Sequence, residues 1–269
     1  MRKTLTAMAM AVALAIGMVG AAIASSHTIY DTIPDPLPSN VTSLGYAALQ
    51  TAEFGQQVSL DAEATADSVT VVMSSWACAD GVVWTAGCGE ITEGTGSSYT
   101  HPITVNIYED DEGVVGELIT TVTQDVDVPF RPAADATCDT ETNWQDESEN
   151  CFSGVAFTVS FDLDGTVLPT SFIYSVAVDT AGDTPADSLN VGLEIADLEL
   201  GENYWDSNFY GDPGFKNVGQ WDFNILARFE TAAEELTADD CKDGGFADHG
   251  FKNQGQCVAS VKANANAGK

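Results

Sequence analysis

The chain has 269 residues, with 41 Asp or Glu against nine Lys or Arg and a net charge of −32. Such a field repels phosphate backbones and anionic lipid surfaces, which argues against nucleic acid as a partner. Apolar residues make up 44% of the chain, enough to fill a core, so the composition is not that of a disordered acidic tail.

Arg2 and Lys3, an apolar run from about Ala7 to Ala22, and the small-x-small triplet Ala22-Ile23-Ala24 follow the order of a secretory signal peptide. Residues 1–24 are therefore expected to be removed. The run is shorter than the ~20 residues a membrane helix needs. Cleavage would leave seven basic against 41 acidic residues, a net charge of −34. No later segment is apolar for long enough to span a bilayer, so a soluble product, secreted or held at the cell surface, is expected.

After an entry segment broken by Pro34, Pro36 and Pro38, apolar and polar residues alternate. Val58 and Leu60 begin the pattern, followed by Val69, Val71 and Met73, and then Ile103, Val105 and Ile107. Leu118, Val122, Val126 and Val128 share one parity, as do Val155, Phe157, Val159, Phe161 and Leu163. Phe172 to Val178, Leu189 to Ile195 and Trp221 to Phe229 complete the series. A period of two buries one face and wets the other, as in antiparallel sheets. The fold class is therefore all-β: an antiparallel β-sandwich or jelly roll of about eight or more strands over residues 25–230. Glu109-Asp110-Asp111-Glu112-Gly113 reads as an acidic hairpin turn, and about Asp197 to Gln220 as a long loop. Residues 231–240 read as an acidic linker. Residues 241–269 carry four of the seven remaining basic residues and read as a small disulfide-closed module.

Six cysteines fall in three close pairs, Cys78 with Cys88, Cys138 with Cys151 and Cys241 with Cys257. Export and clustering favour three sequential, loop-closing disulfides among the fifteen pairings that six cysteines allow. The tight Cys-x-x-Cys or His spacing of a zinc site is missing.

Three stretches of the body are distinctive: Ser74-Ser75-Trp76-Ala77-Cys78, His101-Pro102-Ile103-Thr104-Val105-Asn106-Ile107-Tyr108 and Val128-Pro129-Phe130-Arg131-Pro132. Through them, residues 28–230 resemble a group of uncharacterised secreted bacterial β-sandwich proteins, which implies a fold and no activity. The tail, Cys241-Lys242-Asp243-Gly244-Gly245-Phe246 continuing to Gly250-Phe251-Lys252-Asn253-Gln254-Gly255-Gln256-Cys257-Val258, resembles a short C-terminal module of exported bacterial proteins. Phe246 stands where that module usually has Trp.

No catalytic residue is assigned. A hydrolytic triad would need His27, His101 or His249 as its base, and the chain has no Gly-x-Ser-x-Gly elbow. Carboxylate pairs suited to glycoside cleavage carry no signal among 41 acidic residues. Calcium is the metal that acidic turns suit: Asp162-Leu163-Asp164-Gly165 offers two carboxylates, although a solvated turn accounts for them as well. The best binding candidate is the aromatic-amide stretch Asn203 to Gly211, with Tyr204, Trp205, Asn208 and Tyr210 as ligand residues. Flat rings suit the CH faces of sugars, and amides and carboxylates suit their hydroxyls. The alternative is that these rings fold back onto the sandwich. The expected function is thus non-catalytic binding outside the cell, with a glycan or cell-wall component as partner. A polysaccharide hydrolase or lyase and a purely structural envelope protein are the rivals.

Overall fold

The computed structural model describes residues 26–81, 87–89, 97–179, 188–194, 202–210, 216–219, 224–232, 238–247 and 251–267. Side chains of 202–210, 216–219 and 263–267 lie outside this description. Two compact units emerge, Ser26–Ala232 and the segment from Ala233 onward.

The first unit is all-β. Its strands in chain order are β1 (Thr28–Asp31), β2 (Thr42–Gly45), β3 (Glu53–Ser59), β4 (Ala64–Ser75), β5 (Ser98–Asp111), β6 (Val114–Pro129), β7 (Trp144–Gln145) and β8 (Cys151–Phe152). There follow β9 (Val155–Leu168), β10 (Ser171–Val178), β11 (Leu189–Glu194), β12 (Glu202–Tyr210), β13 (Lys216–Gly219), β14 (Asn224–Ile225) and β15 (Ala227–Glu230). One turn of helix, α1 (Tyr46–Leu49), separates β2 from β3. Among the described residues, one sheet has the order β1-β15-β4-β11-β14, with β9 on β4 and β2 on β11. The other runs β13-β12-β3-β10-β5-β6, and β7 and β8 form a separate ribbon. All described pairings are antiparallel.

The two large sheets face each other across one core. Val69, Val71, Met73, Val159 and Phe161 from the first sheet meet Ile103, Val105, Ile107, Phe172, Tyr174 and Val176 from the second. These are the apolar parities of the alternating runs, so the strand pattern alone decides which face is buried. At its centre the Phe229 ring stands edge-on to Phe172 and Tyr174, both at 5.4 Å. The Tyr174 hydroxyl donates to the Ile225 carbonyl at 2.7 Å, so the polar handle of a buried ring is satisfied. Gln56 links the sheets through the core: its Nε2 donates to Asn224 Oδ1 at 2.8 Å and its Oε1 accepts from the Ile225 N–H at 2.6 Å.

The three expected bridges form, Cys78–Cys88, Cys138–Cys151 and Cys241–Cys257. The acidic hairpin turn is tighter than the sequence suggests. Strands β5 and β6 extend to Asp111 and from Val114, leaving Glu112 and Gly113 as a two-residue loop with φ of 52° and 85°. Leu118 departs from its expected parity. Ile107 pairs with Thr120 but Tyr108 with Leu118, so Ile119 is an extra residue. It packs against the core and leaves Leu118 51% exposed, as a one-residue slip requires.

In the second unit the Cys241–Cys257 bridge ties a 3-10 turn, Gly245–Ala247, to α2 (Gln254–Ala267). The Phe251 N–H donates to the Phe246 carbonyl at 2.9 Å, closing the loop between the two rings. Asn253 Oδ1 accepts from the Gln256 N–H at 3.0 Å, a side-chain cap on the first turn of α2. Both cysteines are fully buried.

Candidate functional site

The strands of the six-stranded sheet carry their polar parity on the face away from the sandwich core. On β10 that parity holds Ser171, Ile173, Ser175 and Ala177; on β5, Thr104, Asn106, Tyr108 and Asp110; on β3, Glu53, Gly55 and Gln57. In a flat open sheet this face would be wet. Ile173 and Ser175 are instead 0% exposed. The sheet curls, because β13 at one edge comes back close to β6 at the other. The face is therefore a concave one, a groove whose floor residues Ile173 and Ser175 are closed to solvent and whose Glu53, Asn106 and Tyr108 are half-exposed.

One carboxylate organises its floor. Glu53 Oε1 accepts hydrogen bonds from Asn106 Nδ2 at 2.8 Å, from the Tyr108 hydroxyl at 3.0 Å and from the Ser175 hydroxyl. Asn106 Oδ1 in turn accepts from the Thr121 hydroxyl at 2.7 Å, carrying the network onto β6. Burial, with the Glu53 carboxylate beside it, pushes the Tyr108 phenol well above its usual range. Tyr108 therefore stays protonated and donates to Glu53. A second cluster lies further along the groove, where Asp110 Oδ2 accepts from Ser171 Oγ at 2.6 Å and from Gln57 Nε2. Ser175 and Ser171, which mark the two carboxylates, are four residues apart on β10, or ~13 Å at the usual strand rise.

The segment expected to be a loop is not one. Tyr204, Trp205, Asn208 and Tyr210 lie in β12, which pairs with β3 on one side and β13 on the other. Pairing to β3 and β13 overrides the turn-like composition. The signal was lost because the ladder is interrupted: Asn203 pairs with Val58 and Asn208 with Gln56, so four residues, Tyr204 to Ser207, oppose Gln57 alone. Tyr210 pairs with Phe54. Tyr204 and Trp205 thus sit in a wide bulge beside Gln57, whose amide belongs to the Asp110 cluster. Gly211 lies outside the described residues.

The remaining sequence candidates lie away from this face or outside the described residues. Asp162 to Gly165 is a bulge inside β9 rather than a strand end, for Ala66 pairs with Thr166 and Ser68 with Asp162. Asp164 and Gly165 take positive φ, and the Asp162 carboxylate accepts the Asp164 N–H at 2.8 Å. Among the described residues no three His, Cys, Asp or Glu side chains converge as a metal cage requires. His101 sits on the core-facing parity of β5, its ring 6.4 Å from that of Tyr99 and its buried Nε2 without a hydrogen-bond partner. His27 is exposed near the start of β1, and His249 is outside the described residues. All six cysteines are bridged.

Burial lowers the His101 pKa, partly offset by Asp179. The folded state thus holds a neutral ring while the unfolded chain binds the proton, so stability falls as pH drops below about 6.5. Urea melts at pH 7.5 and 5.5 should show a smaller loss in His101→Gln than in the wild type; equal losses would contradict this.

Sequence reasoning missed Arg131, which is 1% exposed. Its Nη1 donates to the Ser153 carbonyl at 2.6 Å and its Nε to Cys88 Sγ at 2.8 Å. The signal available was an Arg held between Phe130 and Pro132 in a chain nearly devoid of cations.

No protein-family model matches the chain, and a search of curated proteins returns no relative. Among the described residues no helix is long and apolar enough to cross a membrane.

Proposed function

We propose that the chain is exported and binds a neutral glycan along the groove of the six-stranded sheet, without cleaving it. The observation that carries this is the lining itself: half-exposed Glu53, Asn106 and Tyr108 and exposed Thr121 form one fixed hydrogen-bonding surface, anchored from beneath by the buried Ser175 hydroxyl, with the Tyr204–Ser207 bulge at its β3 side. Hydroxyl-rich ligands need such acceptors and donors held in place, together with rings for their apolar faces. The protonated state of Tyr108, which makes it a donor and not a base, favours binding over proton abstraction. Export is supported by the N-terminal residues 1–24 and by three disulfides, which persist in oxidising compartments.

Affinity electrophoresis of residues 25–269 in gels containing soluble neutral polysaccharides tests the reading. At least one polysaccharide should retard the protein. Glu53→Gln, which keeps the shape and removes the charge, should weaken that binding about tenfold, the scale of one hydrogen bond to a charged group. Free migration through every gel would overturn the proposal.

A further inference from the structure

A second hollow lies apart from the groove, in the loop closed by Cys138–Cys151. It has a volume of about 420 Å³, within the ~300–1,000 Å³ of small-molecule sites. Its apolar wall is Trp144 and Pro132, and Ser39, Gln145 and Ser148 offer neutral hydrogen-bonding groups. The rest of the lining is acidic, Asp146 and Glu147, with no basic side chain among the residues around it.

The walls are held before any ligand arrives. Trp144 is 8% exposed, and its Nε1 donates to the Gly154 carbonyl at 2.7 Å. The ring rests 5.6 Å from that of Phe152. Gly154, whose carbonyl holds the indole, has no room for a side chain, since a Cβ there would lie 2.5 Å from Trp76 Nε1. Asp146 is fixed by three donors: the Ser148 and Asn150 N–H groups, each at 2.9 Å to Oδ1, and the Ser39 hydroxyl at 2.9 Å to Oδ2. These bonds hold its carboxyl below the usual carboxylate range, so it is ionised at neutral pH. All three donors are neutral and leave its negative charge uncompensated.

We infer that this hollow binds a compact polyhydroxylated amine, of which an amino sugar is the simplest. Its ammonium group goes to the carboxylates of Asp146 and Glu147, its hydroxyls to the serine and Gln145 side chains, and its carbon skeleton to the indole edge and Pro132. Anionic ligands are repelled by the same two carboxylates. Pre-formed walls reduce the ordering cost of binding.

Calorimetric titration of residues 25–269 with glucosamine, N-acetylglucosamine and glucose separates charge from shape, because only glucosamine carries the ammonium. Glucosamine should bind at least tenfold more tightly than either neutral sugar. Asp146→Asn combined with Glu147→Gln keeps the side-chain shapes, and the new Asn amide can donate to Ser39. This double variant should lose the glucosamine preference and melt with the wild type. Tyr108→Phe, in the groove, should leave glucosamine affinity unchanged, so failure here is distinguishable from failure of the groove reading. Equal binding of the three sugars, no binding of glucosamine, an unchanged preference in the double variant, or loss of binding in Tyr108→Phe would each overturn the inference.

Discussion

Arg131→Met is expected to cost about 1–3 kcal/mol, the range for leaving a buried hydrogen-bonding group without its partner. The guanidinium is enclosed where three chain segments meet. Its backbone N–H donates to the Ala77 carbonyl at 3.0 Å, and its side chain reaches the Ser153 carbonyl and both sulfurs of the Cys78–Cys88 bridge. Burial lowers its pKa, and the nearby Asp80 charge opposes that shift. Methionine fills similar space but removes the donor from the Ser153 carbonyl and the cation that faces Asp80. With net stabilities of ~5–15 kcal/mol for natural domains, such a loss is a large fraction of the whole. Urea denaturation followed by circular dichroism measures it; a loss under about 1 kcal/mol would show that Arg131 holds nothing together.

Gln56→Leu should destabilise by about 2–4 kcal/mol, although it makes a core position more apolar. Gln56 is 1% exposed and faces the opposite sheet. Leucine leaves the buried Ile225 N–H without its acceptor and takes the donor from Asn224 Oδ1. Each buried polar group left unmatched costs roughly 1–3 kcal/mol, while the transfer gain of the added apolar surface is smaller than the sum. The same denaturation experiment decides the sign. A variant as stable as the wild type would mean that β3 and β14 are held together by packing alone.

The sandwich was legible because its long strands alternate cleanly. Ile103 to Ile107, Val155 to Leu163 and Phe172 to Val178 each bury one parity, and no tertiary contact had to be known to say so. Short strands with little alternation, such as β1 and β2, escaped for the opposite reason: at four residues, pairing partners decide their conformation. β12 escaped because its four-residue bulge breaks the period, and its Asn, Asp and Tyr content imitates a loop. The groove was half legible. Asn106 and Tyr108 stand on the wet parity of a strand the sequence identifies, but their convergence on Glu53 depends on β10 lying between β3 and β5. That is a matter of strand order, which no local pattern encodes. Arg131 shows the same limit, since its partners Ser153 and Cys88 come from distant loops.

The central claim is that the groove of the six-stranded sheet receives a glycan. Amide chemical-shift mapping during titration with an oligosaccharide of whichever polysaccharide retards the protein tests it most directly. Perturbations should cluster on β3, β5, β10 and β12, around Glu53, Asn106, Ser175 and the Tyr204–Ser207 bulge, with β1 and β15 unmoved. Perturbations confined to the opposite sheet or to the Cys138–Cys151 loop, or none at saturating ligand, would contradict the account.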